Sequence, residues 1–263
     1  LNSIAIIGGS GVYSPELLEK PIVKTVSTKY GQTSVVTGQF LGRDIVFMQR
    51  HGQGHKTPPH MINYRANIAA LAQLGVKYIL ATTAVGSLNP DLPPGTLVLS
   101  DQILDFTRNR PVTFFDGEER GVIHVDFTYP YCPSLRQQVL RAAGECGLPL
   151  VDGGTYVCFE GPRYETAGEI RMFRQLGGDI VGMTAMPEAI LAREAEMCYV
   201  GVSMVTNFAA GITARSLSHA EVLDCMAANA VRLRVLMEKS LMIIDTLHRC
   251  TCHSAVTAEV AEQ

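Results

Sequence analysis

Ile4-Ala5-Ile6-Ile7-Gly8-Gly9-Ser10-Gly11 is a short apolar run that stops on a cluster of glycines. Unbroken apolar character suits a strand buried on both faces, and the glycines permit a tight turn whose backbone N–H groups can approach an anion. Taken alone, this stretch reads better as a tight turn with no ligand, since it lacks the third glycine of a dinucleotide fingerprint and the Gly-Lys-Ser/Thr of a P-loop. The same arrangement returns further along. Residues 33–40 and 43–49 read as a hairpin around Leu41-Gly42-Arg43, and its second strand closes on Arg50-His51-Gly52. Lys77 to Thr82 reads as a strand that runs out into Thr83-Ala84-Val85-Gly86-Ser87. Three polar strand ends are what a ligand crevice at the carboxyl edge of an α/β sheet requires.

Helical spacing fills the intervals. Pro58-Pro59 precedes Ile62, Ala66, Ala69, Ala70 and Leu74 on one face, stopped by Gly75. Leu97 to Ile103 is expected to be a strand, 134–146 a helix, 154–159 a strand, 166–176 a helix and Asp179 to Gly182 a strand. A helix is expected from Pro187, since proline suits a first helical turn, and Cys198 to Val205 reads as a buried strand. Ser218 and Glu221 have capping-box spacing at the head of a long helix through Val222, Met226, Leu233, Met237 and Leu241. The expected fold is a single α/β domain over residues 1–249, with a mixed central sheet flanked by helices. Residues 250–263 lose periodicity and read as a frayed tail.

Of the 263 residues, 47% are hydrophobic and 18% charged, enough apolar material for a large core. A net charge of −3 gives no reason to expect nucleic acid or an anionic membrane as partner, so any phosphate site has to be made locally. No apolar run approaches the roughly eighteen residues of a membrane span. The first residues carry no basic region or cleavage site and are expected to be a strand, not a signal peptide. Seven cysteines, mostly in apolar stretches, favour reduced thiols and a cytoplasmic location. Cys250-Thr251-Cys252-His253 lacks a second ligand pair, so no zinc site is expected there. A disulfide involving these cysteines is the alternative to a reduced tail.

Gly8-Gly9-Ser10-Gly11, Arg50-His51-Gly52, Asn63-Tyr64-Arg65-Ala66-Asn67, Thr83-Ala84-x-Gly86-Ser87, Glu160-Gly161-Pro162-Arg163 and Met183-Thr184-x-Met186-Pro187-Glu188 follow one another in order. Together they resemble the trimeric family of purine nucleoside and methylthioadenosine phosphorylases over nearly the whole chain. The resemblance implies that Ser10, Arg50, His51, Thr83, Ala84 and Thr184 hold phosphate. The chemistry agrees, because a guanidinium fork, hydroxyls and a backbone N–H are all donors to an oxyanion. It also implies a base pocket framed by Tyr164, Glu165 and Val205-Thr206-Asn207, with Met183 beneath the sugar. A homotrimer or dimer of trimers is implied too, with His124 of a neighbouring subunit reaching the sugar.

Where adenine-specific members are expected to carry aspartates, this chain has Asn207 and Ala209. A carboxylate suits adenine, which presents an amino donor beside a protonated N7. Hypoxanthine and guanine present O6 as acceptor and N1–H as donor. An Asn207 carboxamide accepts from N7–H and donates to O6, while Glu165 accepts from N1–H. Discrimination by such bonds reaches about 10⁴, because the wrong base leaves buried groups unpaired. At the sugar end, His219 stands where methylthio-specific members are expected to have aliphatic residues, and an imidazole suits a free 5′-hydroxyl. Taken singly, a surface glutamate, a strand-end asparagine and an exposed histidine remain ordinary features.

The expected reaction is phosphorolysis of (deoxy)inosine or guanosine to the base and (deoxy)ribose 1-phosphate, a purine salvage step. Inorganic phosphate is then the co-substrate, with no metal or organic cofactor, and Asn207, Arg50, His51 and Thr184 are the expected catalytic groups. Methylthioinosine or methylthioadenosine phosphorylase, a phosphate-independent nucleosidase and a non-catalytic nucleoside-binding protein are the alternatives.

Overall fold

The computed structural model describes residues 3–8, 17–52, 54, 56–117, 119–213, 219–248 and 250–262, with backbone alone at 3, 219–221, 261 and 262. Its centre is β5 (Val76–Ser87), flanked in parallel by β1 (Ser3–Gly8) and β11 (Cys198–Phe208). On the β1 side follow β4 (Arg43–Gln49), parallel to β1, then β3 (Gly31–Phe40) and β2 (Glu19–Thr28), each antiparallel to its neighbour. β5 outruns β1, and its last residues pair antiparallel with β10 (Ile180–Gly182). β9 (Thr155–Phe159) and β7 (Gln102–Phe106) extend that side. β6 (Leu97–Leu99) and β8 (Val151–Asp152) extend from β11. This is the mixed α/β sheet expected from the sequence.

Alternate side chains of the central strands sort into two cores, one on each face. Ala5, Ile7, Val46, Met48, Ile79 and Ala81 join one; Ile4, Ile6, Ile45, Phe47, Tyr78 and Leu80 join the other. The first is covered by α1 (Tyr64–Gln73) and α4 (Ala185–Glu194), through residues such as Ile68, Leu71, Ala189 and Leu191. The second is covered by α2 (Pro133–Glu145) and α5 (His219–Ile243), through Leu135, Val139, Leu233 and Met237. Burial on both faces explains why these strands lack a polar alternation. α3 (Ala167–Gln175) begins with a full capping box between Thr166 and Glu169 and encloses a third, smaller core with Ile170 and Phe173.

Two sequence expectations change, one strand goes unread and one helix start needs qualifying. β2 has no counterpart among them: it is an edge strand, almost wholly exposed, so it carries no hydrophobic pattern to read. The expected strand from Leu97 to Ile103 is two strands, β6 and β7, broken where the Asp101 carboxylate accepts from the Gly154 N–H. The chain thereby crosses from one wing of the sheet to the other. α4 is assigned from Ala185, but Met186 is extended (φ −114°, ψ 137°), so regular helix starts at Pro187 as expected. The tail is not frayed. Residues Thr251–Ser254 form a turn, α6 spans Thr257–Glu262, Cys252 is buried, and Glu196 accepts from the backbone of Val256 and Thr257. The Ser218–Glu221 capping box lies outside the described residues. No helix among them is long and apolar enough to cross a membrane.

Tyr156, fully buried on β9, reaches beneath β10 and accepts from the Thr184 N–H at 3.4 Å. A side chain at Gly182 would overlap that phenol. Gly182→Ala is therefore expected to destabilise the protein by about 1–3 kcal/mol, read as a lower urea midpoint. An unchanged midpoint would show that Tyr156 has room to move.

Candidate active site

A cavity of about 250 Å³ opens at the carboxyl ends of β4, β5, β10 and β11. Arg50, His51, Thr82, Thr83, Ala84, Glu165, Met183, Thr184 and Asn207 line it, with Tyr164 half-exposed at its edge. Strand ends and loops that lie far apart along the chain thus meet around one volume. Ser10 lies outside the described residues, and so does the His219 side chain. Ala209 is packed in the third core, and His124 is exposed; neither lines the cavity.

Arg50 is held rigidly. Its Nε and Nη2 donate to the two Glu188 carboxylate oxygens at 2.7 and 2.8 Å, and Nη1 donates to the Thr82 carbonyl at 2.9 Å. Glu188 also accepts from the Tyr199 hydroxyl at 2.9 Å. Both charged side chains are 1% exposed. Burial opposes the guanidinium charge, but the facing Glu188 carboxylate more than compensates and keeps Arg50 protonated. A guanidinium has five N–H donors, so two are left after these three bonds to meet a ligand anion. His51 donates from Nδ1 to the Thr57 carbonyl at 2.9 Å, which fixes the ring's orientation.

Hydroxyls complete this end. Thr83 pairs with Ser203 at 2.9 Å, Thr184 precedes α4 without capping it by its side chain, and Thr82 Oγ1 is buried without a partner among the described residues. A buried hydroxyl lacking a partner beside a cavity is a group suited to a polar ligand.

The opposite end is organised by a bulge. Val205 pairs with Val85, but Asn207 pairs with Gly86, so Thr206 is an extra residue in β11. The bulge turns Asn207 onto the face where the cavity lies. Its Oδ1 accepts from Thr206 Oγ1 at 2.8 Å and its Nδ2 donates to the Phe208 carbonyl at 2.9 Å. These bonds orient the carboxamide and leave one amide proton and an oxygen lone pair for a ligand. A Cβ at Gly86 would stand 3.1 Å from Asn207 Nδ2 and press on the carboxamide. Burial lifts the Glu165 carboxyl to about 7, and the nearby Glu169 charge adds to the rise.

Several contributors escape a reading of the sequence. Glu188 belongs to one of the family motifs but gives no sign there of its pairing with Arg50, 138 residues away. Arg110, in the stretch between β7 and α2 to which the sequence gives no role, is buried. It donates to the carbonyls of Glu160, Met183 and Met186 at 2.7, 2.8 and 2.6 Å, and to the Glu160 carboxylate. It therefore positions the backbone on either side of Thr184. α5 contributes Val222, Leu223 and Met226 to the cavity wall, an apolar surface near which only His219 is expected from the sequence to act.

The phosphorylase superfamily model matches residues 3–241. A protein named probable 6-oxopurine nucleoside phosphorylase, from Thermococcus kodakarensis, is 52% identical over 264 residues, covering 98% of this chain and 99% of its own. The 6-oxopurine nucleoside phosphorylase of Pyrococcus furiosus is 52% identical over 258 residues, with 96% and 97% coverage. Among solved structures, a methylthioadenosine phosphorylase from an Antarctic soil metagenomic library superposes with a TM-score of 0.91 at 36% identity, covering 98% of this chain and 92% of that one. Strand ends rich in anion donors, a bulge-set carboxamide and end-to-end similarity lead to the same place: the chain belongs to the purine nucleoside and methylthioadenosine phosphorylases of the phosphorylase superfamily.

Proposed function

We propose that the protein is a pentosyltransferase that cleaves 6-oxopurine nucleosides, (deoxy)inosine and guanosine, with inorganic phosphate. The observation that carries this reading is the oriented Asn207 carboxamide across the cavity from Arg50. Its oxygen meets N7–H and its amide proton meets O6 of the departing base, while Glu165 accepts from N1–H. In the reaction the C1′–N9 bond breaks as a phosphate oxygen bonds C1′ from the opposite face, and a proton ends on the base. Arg50, His51, Thr83, Ala84 and Thr184 hold the phosphate, whose charge stabilises the cationic sugar as it forms. Met183 packs against the ribose and Tyr164 against the purine. Inorganic phosphate is the co-substrate, and no metal or organic cofactor is assigned to the reaction.

The same proposal includes a cytoplasmic homotrimer or dimer of trimers. His124 is exposed and off its own chain's cavity, as a residue serving a neighbour's sugar pocket has to be. A second reading, acceptance of 5′-methylthio nucleosides of the same bases, is favoured by the apolar wall of Val222, Leu223 and Met226.

Base release from inosine, guanosine, adenosine, methylthioinosine and methylthioadenosine, with and without phosphate, tests these readings together. Phosphate-dependent cleavage of inosine and guanosine, with adenosine far slower, is expected. Faster turnover of methylthioinosine than inosine establishes the second reading, whereas release that ignores phosphate refutes both. Asn207→Asp is expected to lower kcat/KM for inosine by about 100-fold or more, and retained activity would remove Asn207 from the base contacts. An ionised Glu165 is the stronger acceptor for N1–H, so with a carboxyl near 7 the inosine reaction is expected to weaken as pH falls below about 7. A protonated Glu165 instead donates to adenine N1. The inosine-to-adenosine ratio of kcat/KM, in which phosphate ionisation cancels, should rise with pH across that range. The rise should vanish in Glu165→Gln; a flat ratio in the parent enzyme would contradict the assignment.

A further inference from the structure

Far from the cavity, four cysteine sulfurs from three distant stretches converge. Cys132 caps the N-terminus of α2, Cys198 opens β11, and Cys250 and Cys252 belong to the tail. All four Sγ atoms lie within 4.8 Å of one another, and Cys250 is 3.4 Å from both Cys132 and Cys252. Three are buried and Cys250 is half-buried. The Cys250-x-Cys252 pair is incomplete in the sequence, and the fold supplies its second pair.

We propose that Cys132, Cys198, Cys250 and Cys252 form a tetrathiolate site for a soft divalent metal ion of the zinc type, which fastens the C-terminal segment to the body of the protein. Zinc–sulfur bonds of about 2.3 Å in a tetrahedron set sulfurs about 3.8 Å apart, within the spread observed. The surroundings favour thiolates. The Leu135 N–H points at Cys132 Sγ from the first turn of α2 at 3.4 Å, and His253 Nε2 lies 3.4 Å from Cys198 Sγ. The other neighbours belong to the apolar core beneath α2 and α5, where thiolates are tolerated only if a cation binds them. On binding, four S–H protons leave to solvent and four sulfur–metal bonds form, with no change in oxidation state. Pairing the same sulfurs as two disulfides instead requires an oxidant to accept four electrons. Four protein ligands close the coordination sphere, so the role is structural.

The test uses the full-length protein, purified under reducing, anaerobic conditions and titrated with cobalt(II), then zinc. One ion per chain is expected, with the intense visible bands of tetrahedral cobalt–thiolate, lost when zinc displaces it. Chelation of the zinc should lower Tm by several degrees. Cys250→Ser, in the half-buried tail position, should bind cobalt at least tenfold more weakly, whereas Cys146→Ser, outside the cluster, should bind it unchanged. Three results overturn the proposal: no stoichiometric metal in the reduced parent protein, full metal retention in Cys250→Ser, or two disulfides found by mass spectrometry in that reduced protein. The parent titration holds whether or not either variant folds, and none of these readouts depends on the nucleoside reaction.

Discussion

The architecture of the cavity depends on one buried ion pair. Arg50 ends β4, Glu188 lies in the first regular turn of α4, and the Thr82 carbonyl and Tyr199 hydroxyl that complete the network come from β5 and β11. A guanidinium taken out of water is costly unless every contact is well made, and breaking such a pair costs about 3–5 kcal/mol. Here the cost is met by a bidentate carboxylate, and the consequence is geometric. Three separate stretches of the chain, the end of β4, β5 and the α4–β11 segment, are locked into one network around a planar group at the cavity wall. The same carboxylate that fixes Arg50 also cancels most of its charge, so the site offers directed donors more than raw positive potential. This agrees with a chain whose net charge is −3.

Arg110 serves as a second brace, one layer out. By donating to carbonyls at 160, 183 and 186, it ties the end of β9 to the entry of α4. Neither arginine acts as a surface charge. Both work from the interior, and the loops that carry Glu165 and Thr184 are held by bonds that a packed apolar core could not have supplied.

The sheet was legible in the sequence because its strands are buried on both faces and end on small or polar residues. Ile4–Ile7, Lys77–Thr82 and Cys198–Val205 all read correctly for that reason. β2 was not legible because an exposed edge strand imposes no pattern, and the β6–β7 break was hidden because Ser100 and Asp101 look like ordinary strand residues until Gly154 is placed beside them. In the cavity, residues carried by local motifs were legible: Arg50, Thr83, Met183, Thr184. Those whose meaning lies in a distant partner were not. Glu188 needed Arg50, Arg110 needed three carbonyls, and Cys250-x-Cys252 needed Cys132 and Cys198.

The bulge at Thr206 has a consequence for how such proteins diverge. Val205 and Ala209 on either side of it are built into two different cores, but Asn207 is only partly buried and belongs to neither. One surplus residue therefore separates the demands of packing from those of recognition within a single strand. Exchange of a carboxamide for a carboxylate at 207 changes hydrogen-bond polarity at nearly constant volume, and the only packing contact it asks to be remade is the local one with the Phe208 carbonyl. A lineage can in this way try a new leaving group by single replacements while its scaffold stays intact, which makes the strand end a natural point of evolutionary branching.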